Sequence, residues 1–71
     1  MARFPVTNDN DTTEVRDALE IARTQYVRGD LQDAMRWLRR AADIAFERGQ
    51  DQRGVALSRA AAELGPPRPP G

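Results

Sequence analysis

A chain of 71 residues has room for one small domain with a marginal core, because so much of a short chain stays at its surface. Its eleven Arg balance eleven Asp plus Glu, with no basic excess of the kind a nonspecific polyanion binder needs. It contains no Cys and no His, so disulfide stapling, thiolate metal sites and the commonest general base are all excluded.

Residues 1–10 are polar and turn-prone, ending in Thr7-Asn8-Asp9-Asn10, and read as a flexible arm. Phe4-Pro5-Val6 within it reads as one incidental apolar stretch of a tail rather than a docked segment. Asp11-Thr12-Thr13-Glu14 then opens a helix with a capping-box pattern, in which a side-chain oxygen satisfies early amides and Glu14 reaches back. Val15, Ala18, Leu19, Ala22 and Tyr26 recur at helical spacing and form one stripe over a helix of about residues 12–28. Gly29 ends it by supplying the left-handed conformation that helix ends favour, and Asp30 caps the next helix.

The second helix, about residues 31–48, decides the architecture. At 100° per residue its apolar positions, from Leu31 through Trp37 and Leu38 to Phe46, spread over roughly 200°. An arc that wide implies neighbours on two sides, which puts this helix in the middle. The first helix is expected on the Ala34–Leu38–Ala41 line. The third, about residues 51–64 after the stop at Gly49, then covers either Trp37 and Ile44 or Met35 and Phe46. Gly54 weakens its first turn, since an interior glycine costs about 1 kcal/mol relative to alanine. The end, Gly65-Pro66-Pro67-Arg68-Pro69-Pro70-Gly71, is not helical and reads as a tail or linker.

From Ala18 to Ala45 the chain resembles one tetratricopeptide repeat. Ile21, Ala22 and Tyr26 fall at the large aliphatic, small and aromatic positions of such a repeat's first helix. Gly29-Asp30-Leu31 matches its turn, and Ala34, Leu38 and Ala41 match the small-large-small series of its second helix. Ala18 and Gln25 depart from the usual aromatics, and the closing proline is missing. The MIT-type three-helix bundle has a similar hairpin signature. Either resemblance implies an all-α, antiparallel three-helix module that binds other polypeptides and performs no catalysis.

In the tetratricopeptide family the ligand-facing surface comes mainly from the first helix. The resemblance therefore points to Arg16, Leu19, Arg23, Tyr26 and Val27 as partner-binding residues. Two arginines seven residues apart share a face and suit carboxylates on a peptide. The alternative is that they are solvated and paired with Glu20 or Asp17. Trp37 with Ile44 forms an alternative interface if exposed, against the expectation that Trp37 packs on the third helix. Arg36, Arg39 and Arg40 would suit the DNA-reading helix of a helix-turn-helix, but Asp33, Asp43 and Glu47 share their face and would meet phosphates. Asp9, Asp11, Thr13 and Glu20 touch positions of a calcium loop whose glycine and apolar positions hold Glu14 and Arg16, so no metal site is expected.

The expectation is thus a non-enzymatic adaptor with no cofactor. Its partner is another protein, a peptide or helix with acidic character, and neither nucleic acid nor membrane. Homo-oligomerisation as a scaffold element is the alternative, because repeats of this kind bury their faces only by stacking. No apolar run approaches the roughly twenty residues that span a bilayer, and Met1-Ala2-Arg3-Phe4-Pro5 lacks a signal-peptide core, so a cytoplasmic location is expected.

Overall fold

The computed structural model of the chain describes Phe4, Pro5, Thr7 and residues 9–64, and the proline-rich end lies outside the described residues. Three α-helices follow one another, α1 (Thr13–Val27), α2 (Leu31–Glu47) and α3 (Asp51–Leu64), with no strand among the described residues. The fold is all-α. Each helix begins and ends for a local reason. Thr12 caps α1, its hydroxyl accepting the Val15 N–H at 3.3 Å, and the Asp30 carboxylate accepts the Asp33 N–H at 3.2 Å to cap α2. Because the cap is Thr12, the third helical residue is Val15, and Glu14 stands one position short of the place from which a capping box reaches back. Glu14 instead pairs with Arg48 at the end of α2.

The two turns are built alike. Arg28-Gly29-Asp30 and Arg48-Gly49-Gln50 each place glycine at positive φ, 87° and 78°. The amide after each glycine returns to a carbonyl of the last turn, Asp30 to Gln25 at 2.9 Å and Gln50 to Ala45 at 2.8 Å. That is the double hydrogen-bonded helix stop in which a left-handed residue satisfies the orphaned carbonyls. Three-residue connections of this kind leave consecutive helices antiparallel and adjacent.

The core follows α2. Ala34, Leu38, Ala41 and Ala45 are fully buried along it, Val15, Leu19 and Ala22 enter from α1, and Leu57, Ala61 and Leu64 enter from α3. Alanine along the contact line lets helix axes approach closely. It also leaves few large side chains to drive folding, and the largest fully buried ones are Leu19, Leu38, Leu57 and Val15. Burial of each contributes roughly 1.5–3 kcal/mol. Both outer helices pack on α2, while no Cα of α1 lies within 8 Å of one in α3.

Of the two flanks the sequence leaves open for α3, the Met35–Phe46 flank is the one it takes. The Phe46 ring lies on the backbone of Gly54, so close that a Cβ on Gly54 would stand 2.8 Å from three ring carbons. The glycine that weakens the first turn of α3 is thus the seat for an aromatic ring. Trp37 and Ile44 lie some 160–180° round α2 from Phe46 by helical geometry, on the flank where Arg48 reaches Glu14 of α1. Trp37 is partly buried against the core.

Ala41→Arg, at a site with no exposed surface, would overpack the helix contact and bury a charge. A loss of more than about 4 kcal/mol is expected, enough to abolish cooperative unfolding in a domain this small. Thermal melts followed by circular dichroism check this, and an unchanged curve would show that the α1–α2 contact is not where alanine puts it.

Candidate interaction surface

The core stripe of α1 fixes what the rest of that helix can do. With Val15, Leu19 and Ala22 turned to the core, Arg16, Arg23 and Val27 lie about 80–120° round the helix, within 40° of one another. Arg16 and Arg23 are two turns apart, about 10.5 Å along the axis. All three are exposed, Val27 by 76%. Leu19 is 2% exposed and belongs to the core, so it offers no surface to a partner. Tyr26 is half-buried at the edge of the core. Neither Glu20 nor Asp17 forms an ion pair with either arginine among the described residues. Arg16 lies 3.9 Å from Asp9, in open solvent, where screening leaves such a pair little weight.

The segment before α1 is the main departure from expectation. Phe4 is partly buried against the core, its ring 5.2 Å from that of Tyr26 and tilted by 36°. Aromatic pairs at this separation attract beyond their area burial. From Tyr26 back to Arg16 is ten residues of helix, about 15 Å. Phe4 to Asp9 is five residues, which reach about 17 Å when fully extended. The segment thus meets α1 at two described points, Phe4 at Tyr26 and Asp9 at Arg16. It then continues to α3, where Gln50 Nε2 donates to the Asn10 carbonyl at 2.8 Å. Arg53 grips Asp11 with a two-pronged guanidinium, Nε to Oδ1 and Nη2 to Oδ2, both 3.0 Å. The Asp11 side chain is 1% exposed and that of Arg53 17%. A shallow cleft beside this pair is lined by Asn10, Gln50, Arg53 and Ala56, and within it Gln50 Oε1 is buried without a protein partner.

The remaining candidates separate cleanly. Ile44 is buried, and Trp37 is half-buried against the core, so the two do not make an open patch. Arg36, Arg39 and Arg40 are exposed, with Asp43 and Glu47 exposed beside them on the same polar face of α2. No three His, Cys, Asp or Glu side chains among the described residues gather closely enough to hold a metal ion. No described helix is long and apolar enough to cross a membrane. Sequence reasoning missed Asp11, Arg53 and Gln50. The one available signal was an acidic residue just ahead of the first cap, which gains meaning only when α3 returns to it.

Searches against protein-family models, curated proteins and solved structures found no match.

Asp11→Ala leaves the Arg53 guanidinium beside a site built for a carboxylate, and about 3 kcal/mol of stability should be lost. Arg53→Ala, which strands a buried carboxylate, should cost at least as much, and the double variant should cost clearly less than the sum. Urea denaturation of the four proteins measures the coupling, and strictly additive losses would mean that the pair does not act as a unit.

Proposed function

We propose that this chain is a non-catalytic protein-interaction module, an adaptor whose α1 shoulder receives a peptide or helix of an acidic partner. The observation that carries the reading is the row of Arg16, Arg23 and Val27, exposed together on the flank of a helix whose core stripe is buried. Two arginines rooted about 10 Å apart along the helix suit carboxylates two turns apart on a ligand helix or three residues apart on an extended ligand. The arrangement of α1 and α3 on a central α2 is compatible with the tetratricopeptide-like or MIT-like hairpin that the sequence resembles. The same surface chemistry fits a protein acting inside the cytoplasm, where a reduced environment needs no disulfides.

Self-association is the second reading, and a separate observation favours it. Two large apolar side chains stay exposed at the α2–α3 end of the helix order, Phe46 of α2 by 41% and Val55 of α3 by 45%. Packing against a second copy would remove such surface from water. Sedimentation over a concentration series separates the readings, since a species that stays monomeric at hundreds of micromolar removes the second. DNA reading by the α2 arginines gains no support, because Asp43 and Glu47 would meet the phosphates with them.

The test of the first reading uses peptides selected from a displayed library on the folded chain. Arg16→Glu combined with Arg23→Glu should weaken their binding at least about tenfold while helicity stays intact and stability moves by no more than about 0.5 kcal/mol. The association rate on the unaltered chain should fall as salt rises. Peptides that bind the doubly reversed chain as tightly would place the interaction elsewhere.

A further inference from the structure

The outer face of α2 carries its charges in an order that reads the same from either end once the signs are exchanged. Arg36, Arg40, Asp43 and Glu47 are all exposed, and by helical geometry they form one stripe about 60° wide. It lies nearly opposite the buried line of Ala34, Leu38, Ala41 and Ala45, away from the core. The spacing along it is four, three and four residues, the interval at which two helices meet along a seam. Its signs run basic, basic, acidic, acidic over about 16 Å. Arg36 with Arg40, and Asp43 with Glu47, are like charges about one turn apart, which repel each other within the helix. The one opposite pair at neighbour spacing, Arg40 with Asp43, does not close, and none of the four forms an ion pair among the described residues.

We infer that this stripe pairs with its own copy, two chains meeting antiparallel through α2 about a two-fold axis. Positions 36 and 47, and positions 40 and 43, share one midpoint, between Ala41 and Ala42. A two-fold axis at that point sets Arg36 against Glu47 of the second copy and Arg40 against Asp43 of the second copy, and symmetry repeats both contacts in reverse. A parallel pair in register would instead set each charge against its own kind. The acidic residues that disfavour phosphate thus make the α2 arginines complementary to a second α2. Each pair forms at a solvated surface and is weak alone, so the dimer is reversible and sensitive to salt. The inference rests on the self-association reading for its partner, and gives that partner the charged face of α2 in place of Phe46 and Val55.

Sedimentation of the full chain over a concentration series reads the pairing, in about 0.01 M and about 1 M salt, between which the screening length falls from about 30 Å to about 3 Å. Dimers are expected at low salt and monomers at high salt. Arg36→Glu with Arg40→Glu makes the stripe wholly acidic, and Asp43→Arg with Glu47→Arg makes it wholly basic. Each double variant alone should dimerise at least about tenfold more weakly, and an equimolar mixture of the two should pair again. Reversing all four residues restores the two-fold pattern with signs exchanged, so that variant should dimerise like the unaltered chain. Circular dichroism should show unchanged helicity throughout, since every altered site is exposed. A chain that stays monomeric at hundreds of micromolar in low salt would overturn the pairing together with self-association. Dimers that survive high salt and both double reversals would overturn only the α2 surface, and leave self-association to the apolar side chains. A fourfold variant that is folded but monomeric would overturn the two-fold arrangement.

Discussion

The Asp11–Arg53 ion pair closes a gap that the helices themselves leave open. α1 and α3 both lean on α2 and stay apart from each other, so helix packing alone would let the outer pair splay. The carboxylate just ahead of α1 and the guanidinium in the first turn of α3 span that opening. Removing a carboxylate from water costs several kcal/mol, which only a close, hydrogen-bonded opposite charge offsets. The fork geometry meets that requirement at both oxygens. Glu14 with Arg48, and Gln50 with the Asn10 carbonyl, lie at the same end of the molecule. The entrance to α1, the exit of α2 and the start of α3 are thus tied at one pole, while the opposite ends of α1 and α3 have no such tie among the described residues.

This polarity follows from the alanine-rich middle helix. Ala34, Ala41, Ala42 and Ala45 bring the neighbours close to α2 but bury little area. A core of that kind is thin, and a small domain has little stability in reserve. Polar ties at the periphery then matter more than they would around a larger apolar centre. The Phe46 ring on Gly54 is a related economy of size, since a large side chain fits there only because its neighbour has none. Aromatic bulk missing from the centre is placed at the rim, where Tyr26, Trp37 and Phe46 sit partly exposed.

Local signals were the legible ones. Asp30, Gly29 and Gly49 mark helix ends through hydrogen bonds and backbone angles that involve only a few neighbouring residues, whereas the first cap falls on Thr12, one residue later than the capping-box pattern places it. The wide apolar arc of α2 likewise placed that helix between the other two. The choice of flank for α3 was not legible, because Met35 with Phe46 and Trp37 with Ile44 offer similar area on either side. What separates them is the fit of one ring to one glycine, and a periodicity argument sees that glycine only as a weak point. Of the proposed surface, Arg16, Arg23 and Val27 are exposed, whereas Leu19 shares the angular range of the core stripe and is buried. The position of Phe4 was hidden for a different reason. A lone aromatic among polar residues has no period, so its partner is found only once α1 brings Tyr26 to the right place.

The order of the helices along the chain also bears on how the molecule comes together. α1 meets α2 across one three-residue turn, and α2 meets α3 across another, so nearly all packing is between neighbours in sequence. Chains rich in local contacts fold quickly, because short loops close at little entropic cost. Asp11 and Arg53 are separated by 42 positions, and their pairing needs both hairpins in place before it can form. The topology makes this bond a late event in folding, a clasp set between helix ends that packing has already brought together.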